Sequence, residues 1–253
     1  MGKFIRYAAI AIAFAGCVAA ANPLRVNASI TIPSVNIGIT GTNDPTEIAP
    51  ALQVLFIVSI ITLAPSLLIL LTGFTRIIIV LHFMRSAMGT QQMPPNQVMV
   101  GLALILTLFM MGPAFTEIND TALKPLSDGL ITAEEALETG MMPLRNFMRN
   151  QAEWSDVELF MQLSGQSYET VGDVPDNIII PSFVLGELTK GFITGFVLYL
   201  PFIVIDMVVA SVLMAMGMMM LPPAMISLPF KILLFILGGG WSFVIRYVML
   251  TFK

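Results

Sequence analysis

The sequence predicts an all-α, membrane-associated protein made of two apolar helical hairpins with an acidic helical insert between them. Three observations lead there. The first is composition: 57% of the 253 residues are hydrophobic, 11% are charged, and the mean hydropathy is +0.87. A soluble domain carries about 25% charge and roughly 45–50% apolar residues, so this chain must hide its surplus in lipid or inside a large apolar assembly. The second is patterning: 51–75 and 98–116 hold no charge, and 182–249 is interrupted only by Glu187, Lys190, Asp206, Lys231 and Arg246. Each uncharged run is long enough to cross about 30 Å of hydrocarbon at 1.5 Å per residue. The third is contrast: residues 117–181 hold twelve Asp/Glu against three Lys/Arg.

Taken in order, residues 1–21 read as a cleaved signal. Lys3 and Arg6 form the positive start, Tyr7 to Gly16 a short apolar stretch, and Ala19-Ala20-Ala21 an A-x-A site that places cleavage between Ala21 and Asn22. A rival reading is a lipoprotein box at Phe14-Ala15-Gly16-Cys17, with Cys17 the sequence's only cysteine. Residues 22–50 are polar and turn-rich and are expected on the outer side. Residues 51–116 form the first apolar hairpin. Residues 117–181 form the acidic insert, whose Thr132-Ala133-Glu134-Glu135 and Ser155-Asp156-Val157-Glu158 stretches carry acids where helix starts favour them. Residues 182–253 form the second hairpin. Arg76 and Arg85 beside the first turn would place that turn in the cytoplasm and the insert outside, giving four segments with both mature termini outside.

The two apolar regions echo each other. Met88-Gly89-Thr90-Gln91-Gln92-Met93-Pro94-Pro95 and Met216-Gly217-Met218-Met219-Met220-Leu221-Pro222-Pro223 share the pattern M-G-x-x-x-[ML]-P-P. Gly89 and Gly217 permit the positive φ that ends a helix; Pro94, Pro95, Pro222 and Pro223 suit the start of the next. Both stretches read as hairpin apices.

The inventory for catalysis is thin. His82 is the sole histidine, and cleavage would remove the sole cysteine, so His/Cys metal sites lack ligands. His82 reads as a polar residue near a helix end. No phosphate-binding loop or dinucleotide fingerprint is present, and a net charge of −4 offers no basic surface for nucleic acid. We expect no enzyme activity and no cofactor.

Charges within the apolar arms are more informative, because each costs about 2.5–3.5 kcal/mol near a bilayer centre unless partnered. From an apex near Leu221, Lys231 and Asp206 differ in height by only about 7 Å, so they could pair within one hairpin. Glu187 lies too far along the arm for that, and a Glu187–Lys231 pair would need a neighbouring, axially staggered copy. Alternatively Glu187 and Lys190 mark an interfacial helix end. Seven of the nineteen methionines fall between Met207 and Met225. Met packing often fills gaps, yet Met218, Met219 and Met220 at an apex cannot all face one helix. Presented by several copies around an axis, they would form a soft apolar plug that opposes water by dewetting.

The stretches "LTGFTRIIIVLHFMRSAMGTQQMPPNQVMVGLALILTLFMMGPAF" and "FVLGELTKGFITGFVLYLPFIVIDMVVASVLMAMGMMMLPPAMISLPFKILLFILGGGW" resemble the FliP family, the R-type subunits of type III secretion export gates. The resemblance implies a helical or ring-shaped gate, built from several copies (a pentamer) with FliQ and FliR, that passes unfolded flagellar proteins. It implies further partners in FlhA/FlhB export-apparatus membrane proteins, the basal-body ring and membrane lipid. It also implies a bacterial inner-membrane location, with the assembled gate at or above the outer, periplasmic face. The family's methionine gasket falls on Met218, Met219 and Met220, and its acidic and basic hairpin positions on Glu187 and Lys231. One departure is Gly238-Gly239-Gly240-Trp241, where an acid is expected shortly before the Gly-Trp pair. An equivalent subunit of a virulence injectisome and a non-conducting membrane scaffold remain as alternatives.

Overall fold

The computed structural model describes residues 69–90, 93–218 and 220–252, with Leu55, Val58, Ser59, Thr62, Leu63 and Ser66. The signal segment with Ala21, Asn22 and Cys17, the segment 22–50, most of the first uncharged run and Met219 lie outside the described residues. Among the described residues every regular element is helical, as the composition and periodicity predict.

Helix α1 (Phe74–Ala87) leads through the first apex into α2 (Asn96–Met110). Gly89 adopts φ +71° and its N–H donates to the Ser86 carbonyl at 3.1 Å, closing the end of α1. Pro95 holds extended backbone (φ −56°, ψ 150°) immediately before α2. The second apex repeats this chemistry more completely. Gly217 sits at φ +73°; its N–H reaches the Met214 carbonyl, and the Met218 N–H reaches the Leu213 carbonyl, both at 3.0 Å. That nested pair satisfies the last carbonyls of the incoming helix. Pro223 then occupies the first turn of the outgoing helix, where its missing N–H costs nothing.

The uncharged run 98–116 is not one straight helix. It breaks after Met110, and α3 (Gly112–Ile118) leaves at about 60° to α2. Pro113 follows Gly112 there and cannot donate to the helix behind it. A π-helical turn at Asn119–Leu123 and α4 (Lys124–Ser127) complete this arm. Helix α5 (Ala133–Gln151) starts on a full capping box: the Thr132 hydroxyl accepts from the Glu135 N–H, and the Glu135 carboxylate accepts from the Thr132 N–H at 2.8 Å. Helix α6 (Trp154–Ser164) begins two residues earlier than a Ser155 cap would place it, after Glu153.

Helix α7 (Asp176–Ala215) is 40 residues long, about 60 Å at 1.5 Å per residue. It starts in the acidic insert and continues through the compositional boundary at 181/182, with Pro181 and Pro201 inside it. By length and composition it could cross a membrane alone; two bent pairs, α2 with α3–α4 and α8 (Pro223–Leu237) with α9 (Gly240–Leu250), qualify only if each counts as one broken span. The described residues thus contain up to three candidate spans, against four segments expected for the whole chain. The α8–α9 bend of about 65° falls on Gly238-Gly239-Gly240, with Gly239 at φ +96° and Gly240 at φ +57°.

Helices α1 and α7 pack closely because small residues face bulky ones. A Cβ on Gly195 would lie 2.7 Å from the Phe83 ring, and one on Gly191 would lie 3.2 Å from Ile79. One buried cluster joins Ile77, Val80, Leu81 and Met84 of α1 to Leu198 and Phe202 of α7 and to Val244 and Val248 of α9. A second joins Met148, Val157, Met161, Ile178, Ile179 and Phe183, which ties the insert to the first turns of α7.

Candidate functional site

The first apex lies against α8 of the second hairpin. A Cβ on Gly89 would come 3.5 Å from Leu228 and 3.9 Å from the Lys231 ammonium, so the first apex flanks Lys231. His82 fixes the root of the first apex, bridging the Ile78 carbonyl (2.8 Å) and the Asn96 side chain (2.9 Å). Arg85 donates to the Pro94 carbonyl at 3.3 Å.

Inside the second hairpin, Lys231 Nζ donates to Asp206 Oδ2 at 2.5 Å, and Ser227 Oγ donates to Asp206 Oδ1 at 2.6 Å. Lys231 and Ser227 are buried while the Asp206 carboxylate stays partly exposed. The charged pair therefore spans the two arms fifteen residues before and ten after Leu221, within one copy. Ser227 is a third member that no charge pattern marks; its signal is only its i−4 spacing from Lys231 on one helix face.

Glu187 has a different partner within the chain. Its carboxylate receives both Nε (3.0 Å) and Nη2 of Arg76, 111 positions away. Arg76 also donates through Nη2 to Gln151 Oε1 (3.2 Å) and through Nη1 to the Thr251 carbonyl (2.6 Å) and hydroxyl (3.2 Å). All five guanidinium N–H groups are thereby used. The Phe252 ring caps the guanidinium face at 4.0 Å. Arg76 and Glu187 are both essentially inaccessible to solvent (0% and 1%). Arg76 is thus a buried residue of α1 and not a loop charge in the folded chain. Lys190, one turn beyond Glu187, reaches outward to the Gln151 carbonyl (2.6 Å) and Glu153 (2.7 Å). The signal for Arg76 is its place between two apolar stretches, 51–75 and 77–81, where an unpartnered charge is costly.

The methionine apex is the opposite in character. Met216, Met218 and Met220 are exposed, Met220 at 97%, and they continue an exposed apolar strip from Val204, Val208 and Val212 of α7. Met219 lies outside the described residues. Among the described residues no three His, Cys, Asp or Glu side chains gather as a metal-binding group would require.

Comparison with known proteins decides the family. Residues 57–248 match the FliP family. The chain belongs to the FliP family. This FliP-family chain is 46% identical over 217 residues to the flagellar biosynthetic protein FliP of Bacillus subtilis, covering 85% of this chain and 98% of that protein. It is also similar to the proteins of that name from Treponema pallidum, at 46% over 87% of this chain and 83% of that one, and Caulobacter vibrioides, at 40% over 98% and 92%. The match to the FliP family includes both apices and the Arg76–Glu187 and Asp206–Lys231 pairs.

Proposed function

We propose that this FliP-family chain, a component of the flagellar export apparatus, is a gate subunit. Several copies, a pentamer on the family pattern, join FliQ and FliR to enclose a sealed conduit for unfolded flagellar proteins. The assembly sits in the bacterial inner membrane or at its periplasmic face, beside FlhA/FlhB and the basal-body ring. Met218, Met219 and Met220 form the collar, and the acidic insert packs on the outer side.

The observation that carries this reading is the second apex. Its bonding is satisfied through Gly217 and Leu213, yet the Met216, Met218 and Met220 side chains are left uncovered by their own chain. Uncovered flexible apolar groups on a rigidly closed turn suit a soft seal made jointly by neighbours. The relatives' naming for flagellar biosynthesis supports the flagellar system over an injectisome. Chemistry is not part of the proposal.

Replacing Met218–Met220 by Ala in the assembled gate tests it. The expected result is leakage of ions or small solutes in cells that assemble the complex normally. Normal assembly without leakage would favour a non-conducting scaffold.

A further inference from the structure

Helix α9 is held at its two ends by unlike devices. At its start lie three consecutive glycines. Ending α8 and turning into α9 requires positive φ only at Gly239 and Gly240; Gly238 has φ −74°, a value open to any residue. The run is thus longer than the bend demands, and each glycine adds backbone freedom there. At its finish, Thr251 and Phe252 close on Arg76 through two hydrogen bonds and a ring over the guanidinium. Between these ends only Val244 and Val248 are fully buried, while Arg246 faces solvent. The inside of the α8–α9 elbow is a cavity of about 330 Å³ with apolar walls, including Pro201, Phe202, Phe235, Phe243 and Tyr247. Across the elbow Phe235 meets Trp241 edge-on at 5.5 Å, an apolar contact that can slide as the angle changes.

We propose that α9 is a hinged segment that swings about Gly238–Gly240, and that Arg76, already anchored by Glu187, is the latch that holds it. The latch joins the last turn of α9 to α1 and α7 at once, so release at Arg76 frees the angle of α9 without unfolding either hairpin. This inference is independent of the gate reading.

The test measures the distance between spin labels at Phe109→Cys on α2 and Arg246→Cys on α9 in the full chain, purified in detergent. Both positions are exposed, and the background is Cys17→Ser to remove the natural cysteine. The parent should give one narrow distance. Arg76→Gln, and separately deletion of residues 251–253, should each add a second population. If Arg76→Gln fails to fold, the deletion decides alone, because it leaves the Arg76–Glu187 pair in place. Adding Gly238→Ala to the deletion should remove the second population, since a stiffer elbow limits swinging but does not cure fraying of the helix end. A single narrow distance in the released variants overturns the latch. A second population indifferent to Gly238→Ala overturns the hinge.

Discussion

Arg76 of α1 grips Glu187 of α7 through two N–H groups of one guanidinium, with both side chains sealed from solvent. A buried ion pair of this kind is costly to form and costlier to break, because removing one partner strands the other charge. Glu187→Ala should therefore destabilise the chain by about 3–5 kcal/mol, seen as a fall in thermal midpoint in detergent. The double change Arg76→Met with Glu187→Met should regain most of that loss. A single Glu187→Ala variant as stable as the parent would show that water reaches the site.

Ser227 and Lys231 share one carboxylate, but unequally. Ser227→Ala removes one hydrogen bond to a partly exposed Asp206 and should cost about 1 kcal/mol. Lys231→Met should leave Asp206 with the serine alone, and Asp206→Asn should leave a buried ammonium, the larger penalty. Unfolding midpoints for the three variants should fall in that order, with Asp206→Asn lowest; equal midpoints would argue that Lys231 is hydrated.

Two glycines should fail for different reasons. Gly217→Ala meets open space but must hold φ +73°, which costs about 1–2 kcal/mol of backbone strain. Gly195→Ala has helical backbone but collides with Phe83, costing about 1–3 kcal/mol through α1–α7 separation. Adding Phe83→Ala should relieve the second and leave the first untouched. Chemical denaturation of the four variants separates strain from crowding.

Acidification should loosen the start of α5. The Thr132 N–H and hydroxyl bound to Glu135 hold its carboxyl below the ordinary glutamate range. A lowered folded value means the cap's stabilisation is full above the unfolded value and is lost as pH falls through the folded one. Asp156 runs the other way: burial, then the nearby Glu153 charge, raise it, so its neutral form is favoured as pH drops. Amide exchange at Glu134–Ala136 should speed up on acidification and become pH-independent in Glu135→Gln, beyond the intrinsic pH dependence of exchange. A parent with no such change would mean the capping bond is absent in solution.

These features were not equally legible in the sequence. The apices at Gly89 and Gly217 could be read because positive φ and the missing proline N–H are local properties of the residues that show them. The Thr132–Glu135 cap is local in the same way. The break at Gly112-Pro113 was also written locally, yet unbroken apolarity over 98–116 hid it, since hydropathy reports burial and not straightness. Glu187 shows the limit of counting along one hairpin. Its partner Arg76 lies on another helix, and only the close α1–α7 crossing at Gly191 and Gly195 brings the two together. The exposed methionines show another limit: a single chain cannot reveal what covers a surface it does not itself cover.

The length of α7 carries a consequence for the cell. About 60 Å of helix is twice the hydrocarbon thickness of a bilayer, so lipid can shelter only half of it at any tilt near the normal. The other half would stand in water if the molecule were alone, and both halves carry outward apolar side chains, Leu188, Phe192 and Ile193 on one and Val204, Val208 and Val212 on the other. Solitary molecules should therefore be short-lived in the cell, surviving only while companions arrive to sheathe the bare half.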